Sequence, residues 1–216
     1  YEIIMKLLII TGNELRHRFF AKSLALKLEV VGAIFEKKAN KHNTFDYSEH
    51  DKKIINHHFE GRSNSEESYF SDDKIQNVQI KNTIEVKTGE SNSTDIFDWI
   101  KTLAPDIILL FGSSLIKDHI LDEFPNQVVN LHLGLSPYYK GNATNFWPFI
   151  NNELEFLGST ILHIDSGIDT GDIITHVRPK IEKNDNVHTI GCKIIQESAK
   201  KMGMILNLIK ENKEIN

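Results

Sequence analysis

Apolar residues along this chain alternate between short continuous runs and stretches in which they recur every three or four positions. That pattern is expected of buried strands joined by surface helices. Residues 6–10 form an apolar run of strand length, and residues 30–35 form another. Between them, Leu15, Phe19, Leu24 and Leu28 recur at near-helical spacing, and Thr11 with Glu14 has the capping-box order that opens a helix. Strand, helix and strand in such close succession predict a right-handed crossover within a parallel sheet.

From 36 to 82 the pattern changes. This stretch is rich in Asn, Ser, Lys and His and has no long apolar run. Phe45, Ile54, Ile55, Phe59, Tyr69 and Phe70 supply an inner stripe for one or two helices, so a polar, partly helical insertion is expected. A strand follows at 83–86. Next comes an amphipathic helix over 94–103, with Ile96, Trp99, Ile100 and Leu103 on one face, stopping before Pro105. Residues 106–111, 127–133, 158–164 and 173–177 read as strands, and 114–121 and 144–150 as helices. A long final helix starts at Asp185, with Val187, Ile190, Ile194, Ile195, Met202, Leu206 and Ile209 facing inward. Cys192 shares that inner side, and Lys193, Lys200, Lys201, Lys210 and Lys213 form a solvated face. The expected architecture is one α/β domain over residues 1–216, with a mostly parallel sheet and no internal repeat.

Composition narrows the classes. A chain of 216 residues buries a substantial core without staples. The formal charge of −5 argues against a partner recognised through its phosphate backbone, such as tRNA or duplex DNA, and leaves a small charged substrate open. With Cys192 as the one cysteine, an intramolecular disulfide and a thiolate zinc site are excluded, and a reducing, cytoplasmic setting is expected. No apolar run approaches the roughly 20 residues that span a bilayer. The apolar start is broken by Lys6 and runs into Glu14, Arg16 and Arg18 without a small-residue cleavage site, so it is not read as a signal peptide. Met5 is a candidate start, preceded by Tyr1–Ile4.

The chemistry concentrates in two segments. The first, NLHLGLSPYYKGNATNFWPF at 130–149, lies at the carboxyl end of a predicted strand, where ligands bind in such sheets. Strand alternation points Asn130 and His132 to one face and Leu131 and Leu133 to the other. An amide that can hold an oxyanion then stands beside an imidazole that can move a proton. An isolated Asn-x-His is more often structural, but here Gly134, Pro137 and Gly141 follow and constrain a loop that can approach a ligand. The second segment, HIDSGIDTGDII at 163–174, holds Asp165, Asp169 and Asp172. It admits three readings: a turn with Asx caps, a calcium loop (whose spacing does not match the EF-hand order), or a carboxylate loop facing the Asn–His pair.

Together these segments resemble the signature of the formyltransferases that use 10-formyltetrahydrofolate. That family pairs Asn-x-His and a loop with Pro and a basic-Gly pair with a later Asp-x-Gly-(Leu/Ile)-Asp-Thr-Gly. The resemblance covers about 105–177 well, and the first crossover and final helix by pattern. It implies a Rossmann-like fold, a twisted, mostly parallel sheet flanked by helices, and 10-formyltetrahydrofolate as co-substrate without a metal. It also implies that an acceptor amine attacks the formyl carbon. Asn130 would donate to the oxyanion, a contribution of about 3–4 kcal/mol. His132 would assist proton transfer, worth about 100- to 10,000-fold. Asp169 would hold His132 or a relay water. Phe111, Gly112, Ser113, Ser114 and Leu115 match the segment lining the pterin pocket, although alone they read as a strand-to-helix turn bent at Gly112 and capped by Ser113. Asp165, Gly167 and Ile168 match its other side.

The acceptor is the open question. Gly134 stands where many members have Ser, Ser136 where Leu is usual and Lys140 where Arg is common, so the loop that frames the acceptor departs from the pattern. Tyr138, Tyr139, Lys140 and Gly141 are the candidate acceptor-binding residues there. A tRNA acceptor usually requires a further C-terminal domain, which the residues after 177 are too few to supply, so a tRNA acceptor is not expected. Enzymes acting on glycinamide ribonucleotide carry a Gly-Asn-Gly-Ser-Asn phosphate loop after the first strand. Here Gly12 and Asn13 are followed by Glu14, which opposes phosphate unless Arg16 or Arg18 compensates. The favoured acceptor is therefore a small amine, a nucleotide-linked amino sugar used in polysaccharide biosynthesis. Glycinamide ribonucleotide, hydrolysis with water as acceptor, and a non-catalytic folate- or nucleotide-binding module are the alternatives. Neither nucleic acid nor membrane is an expected partner, and a homodimer is compatible with the sequence. Adjacent His57 and His58, with His50 nearby, diverge on a helix and are not read as metal ligands. Phe146 and Trp147 are expected to pack beneath the active loop, with stacking on a base as the alternative.

Overall fold

The computed structural model describes residues 5–38, 46–165 and 167–210. The expectations for Tyr1–Ile4, Phe45 and Lys213, and for the side chains of Ile209 and Lys210, lie outside the described residues. The described strands are β1 (Lys6–Gly12), β2 (Glu29–Lys37), β3 (Thr83–Lys87), β4 (Ile107–Phe111), β5 (Val128–His132), β6 (Ser159–His163) and β7 (Ile173–Val177). They form a sheet in the order β3-β2-β1-β4-β5-β6-β7. Neighbours from β3 to β5 pair in parallel, whereas β5–β6 and β6–β7 are antiparallel. The sheet is therefore mostly parallel, as expected.

Strand alternation builds two cores. Leu7, Ile9, Leu109 and Leu131 face one side with helix α1 (Leu15–Ala25) and the long α7 (Val187–Lys210). Leu8, Ile10, Ile108 and Leu110 face the other with α4 (Thr94–Leu103) and α5 (Asp118–Glu123). Covering both faces explains why the central strands read as near-continuous apolar runs. The connections run outward in opposite directions from β1, to β2 on one side and β4 on the other. The crevice beyond the carboxyl ends of β1, β4 and β5 is thus the topological switch point where ligands bind.

Several local expectations are corrected. Thr11 does not cap α1. It belongs to β1, and its hydroxyl donates to the Phe111 carbonyl at 2.6 Å. Glu14 occupies the cap position without a side-chain cap bond, because its carboxylate is drawn to Arg16. The polar stretch folds into α2 (Glu49–Phe70), capped by Ser48, and α3 (Asp73–Gln76). Phe70 is buried and Tyr69 packs on the core, but Ile54 is exposed, because the first half of α2 has little beneath it. The helix expected from 114 begins only at Asp118, after Lys117 rather than Ser113. The helix expected over 144–150 is reduced to α6 (Trp147–Ile150). The final helix starts at Val187, with Asn186 Oδ1 accepting from the His188 and Thr189 amides at 2.9 and 3.1 Å.

Candidate active site

β5 presents Asn130 and His132 on one face, and the loop that follows β6 turns back over them. Asp165 organises that loop: its Oδ1 accepts from the Gly167 amide at 2.9 Å and the Thr170 hydroxyl at 2.7 Å. The Thr170 bond, then the Gly167 bond, hold its carboxyl below the usual range. A Cβ on Gly171 would lie 2.0 Å from the His163 carbonyl, so only glycine allows this turn. Asp169 sits in the left-handed region at φ 51°, which aims its carboxylate inward.

Three groups then converge on Asp169. Asn130 Nδ2 donates to Oδ1 at 3.3 Å, the Gly141 amide donates to Oδ2 at 3.0 Å, and His132 Nδ1 lies 3.2 Å from Oδ2. The His132 and Asp169 side chains are 6% and 11% exposed, so water screens this contact little. His132 Nε2 lies 2.8 Å from the Tyr139 carbonyl. A carbonyl only accepts, so this contact places a proton on Nε2. Gly134 has no room for a side chain: a Cβ would lie 2.6 Å from His132 Nε2 and 2.6 Å from Thr144 Cβ.

This centre forms one wall of a cavity of about 780 Å³. Phe111, Gly112, Ser113, Ser114 and Leu115 line it on one side, with Asp165, Gly167 and Ile168 also on its wall. Leu115 and Ile168 are large apolar residues 70% and 57% exposed, and Ile116, Leu121 and Ile164 extend the apolar surface. The 112–117 segment is non-helical because distant groups hold it. Buried Glu36 accepts from Ser91 Oγ at 2.7 Å, from the Ser114 amide at 3.1 Å and from the Ser114 hydroxyl. Asn92 bonds the Leu115 carbonyl and the Lys117 amide at 2.9 and 2.8 Å.

Of the acceptor-side candidates, Gly141 joins the cavity wall and the others do not. Gly12 is buried beneath the His17 ring, only 2.5 Å from where a Cβ would stand, and Asn13 lies outside the cavity. Tyr138 turns out to solvent against Phe156, Tyr139 sends its hydroxyl to Glu153, and Lys140 is exposed. Phe146 and Trp147 are exposed rather than packed beneath the loop, because α6 lies at the surface, and Phe146 lines the cavity.

Sequence reasoning missed a basic end of the cavity, formed by Arg16, Lys38, His58, Arg62 and His188 with Glu66. Arg16 donates to Glu66 at 2.6 Å and to Glu14, and Arg62 Nε lies 3.7 Å from Glu66. Burial first, then Arg62, hold His58 below its ordinary value, and burial does the same for His188 with His58 and Arg62 adding to it. Lys38 and Arg62 are also lowered, chiefly by burial. The available signal was the spacing of His58, Arg62 and Glu66, which share one face of α2. Cys192 also lines the cavity, but burial pushes its thiol up to about 12, so it is inert at neutral pH. Among the described residues no group of three or more His, Cys, Asp or Glu could hold a metal ion, and no helix is long and apolar enough to cross a membrane.

The profile of the Formyl transferase family matches residues 35–206. Methionyl-tRNA formyltransferase of Clostridioides difficile (strain 630) is 32% identical over 140 residues, 63% of this chain and 45% of its own length. The chain thus spans about half the length of that curated relative. Among solved structures, phosphoribosylglycinamide formyltransferase from Anaplasma phagocytophilum superposes with a TM-score of 0.66 at 14% identity, covering 97% of this chain and 89% of its own. The formyltransferase PseJ from Anoxybacillus kamchatkensis, solved with UDP-4,6-dideoxy-4-formamido-L-AltNAc and tetrahydrofolate, gives 0.51 at 22% identity, covering 96% of this chain and 78% of its own. These likenesses bear on the fold, and the profile spans most of the sequence: the chain belongs to the formyl transferase family.

Proposed function

We propose that this chain transfers the formyl group of 10-formyltetrahydrofolate to the amine of a small acceptor, a nucleotide-linked amino sugar. The observation that carries this is the convergence of Asn130, His132 and Asp169 on one wall of a cavity that is apolar at one end and basic at the other. The apolar end suits a flat heterocycle: Leu115 and Ile168 expose large side chains to the cavity beside backbone polar groups at 112–114. Bound there, the folate supplies an activated formyl carbon. Asn130 Nδ2 carries two hydrogens. Asp169 takes one, which leaves the other for the oxygen on which negative charge develops. His132, with its Nδ1 against Asp169 Oδ2, assists as the attacking amine loses a proton and the leaving nitrogen gains one.

The solved PseJ complex supports an amino-sugar nucleotide, since a protein of this fold holds one together with tetrahydrofolate. A second reading keeps the chemistry and takes glycinamide ribonucleotide as acceptor. It is favoured by the extent of fold shared with phosphoribosylglycinamide formyltransferase and by the fit of any phosphorylated amine to the basic end.

Incubation with 10-formyltetrahydrofolate alone, and then with separate amine pools, tests this. Tetrahydrofolate release only with an amino-sugar nucleotide is expected. Release with glycinamide ribonucleotide moves the acceptor to the second reading, release with methionyl-tRNA refutes a small acceptor, and release without amine indicates a hydrolase. No binding of any folate refutes the proposal as a whole.

A further inference from the structure

We propose that Arg16, Lys38 and Arg62 seat a phosphoryl group of the acceptor at the basic end of the cavity, a site drawn from α1, the end of β2 and α2 rather than from the turn after β1. The name of the acceptor rests on the formyl-transfer reading; the anion seat does not.

Three cations line this end with Glu66, and two further carboxylates, Glu14 and Glu36, act on Lys38 from nearby. Glu66 is 7% exposed and contacts both guanidinium groups, which fixes their planes and leaves further N–H groups of each undirected. Lys38 forms no hydrogen bond or ion pair among the described residues. Glu36 is already engaged by Ser91 and Ser114, and Glu14 by Arg16, so an entering anion still relieves the mutual repulsion of the three cations. Burial and mutual repulsion already depress the basicity of Lys38 and Arg62. Phe146, 39% exposed, lines the same cavity with its ring edge-on to His58 at 6.1 Å, which suits a nucleoside beside the phosphoryl group.

The alternative seat, at the start of α1, is closed. Glu14 places a carboxylate there, His17 covers Gly12, and neither Gly12 nor Asn13 reaches the cavity.

The test is calorimetric titration of the full chain with inorganic pyrophosphate and with phosphate at low salt, in parallel with folate binding by fluorescence. Saturable binding is expected for wild type, weakened roughly 10- to 100-fold in Lys38→Gln and Arg62→Gln, with folate binding unchanged. Lys38 has no hydrogen-bond or ion-pair partner among the described residues, so its variant reports even if Arg62→Gln unfolds. Comparison of UDP with ribose 5-phosphate separates a nucleoside diphosphate from a sugar phosphate. Equal pyrophosphate affinity in both variants, or no saturable binding to wild type at millimolar concentration, overturns the proposal. Pyrophosphate binding that depends on Lys38 without any folate binding keeps the seat and removes formyl transfer. Formyl transfer with an unchanged acceptor KM in both variants does the reverse.

Discussion

Asp169→Asn separates chemistry from folding more cleanly than any truncation of the centre. Asn has the same shape and tolerates the left-handed φ of 51°, whereas Ala would add strain there. The substitution replaces one of two acceptor oxygens by a donor, while Asn130 Nδ2 and the Gly141 amide face it as donors and His132 Nδ1 lies 3.2 Å from Oδ2. Keeping the oxygen toward Gly141 and His132 sets the new amide against Asn130. Asn130 then either loses a bond, at about 1 kcal/mol, or flips its amide and withdraws its N–H from the reaction. Losing an oxyanion donor costs about 3–4 kcal/mol, or two to three decades of rate at roughly 1.4 kcal/mol per decade. Loss of the carboxylate as proton acceptor adds to this. The expected result is a kcat at least about 1,000-fold lower, with unfolding free energy within about 1–2 kcal/mol of wild type. Tetrahydrofolate release read by absorbance, beside a urea melt, measures both. A kcat within about tenfold of wild type would refute the assigned roles, and a stability loss above about 3 kcal/mol would make Asp169 a folding residue first.

Glu36→Leu strands the buried Ser91 hydroxyl and frees 112–117, so a loss of about 2–4 kcal/mol and a raised KM for the folate are expected; Glu36→Gln, which keeps the acceptor for Ser114, should lose only about 1 kcal/mol in the same urea melts. Gly134→Ser forces Thr144 or His132 to move, and should lower kcat more than it raises either KM in steady-state assays. His17 is held well below its ordinary value by burial, then by Arg16, Lys38 and Arg62, despite Glu14 Oε2 at 3.4 Å, whose charge Arg16 already engages. Its unfolded form therefore binds a proton below about pH 6.5 that the folded form refuses, and stability falls as pH drops. Wild type should lose roughly 1 kcal/mol more than His17→Gln between pH 6.5 and 5.5, and equal slopes in pH-dependent melts would refute this burial account.

Elements whose cause is local were legible in the sequence. The helix over 94–103 was read to the residue, because its apolar face and Pro105 both lie within a few turns. The pairing of Asn130 with His132 followed from strand alternation alone. Failures came where a distant group decides. Residues 114–117 carry helix-compatible chemistry, yet Glu36 and Asn92 take their backbone and side-chain groups first. Thr11 is a reasonable cap by spacing, but β4 offers its hydroxyl a carbonyl. Tyr138 and Lys140 sit beside the right motif and point away from the cavity, a matter of loop geometry that spacing does not encode.

The two ends of the cavity differ in the kind of bond that builds them, which under the proposed function would separate reaction from specificity. The reacting centre leans on backbone groups: the Gly141 amide, the Tyr139 carbonyl, the turn at Gly171 and the left-handed Asp169. Such contacts survive most side-chain changes nearby. The basic end is made almost wholly of side chains, several of them on α2, a helix that contributes no residue to the centre. On the proposed anion seat, substitutions along its inner face at 58, 62 and 66 should change which acceptor is held without disturbing Asn130, His132 or Asp169. A two-motif signature, read from the proposed reacting centre, cannot by itself name the acceptor if, as proposed above, part of the acceptor's seat lies on a helix outside both motifs.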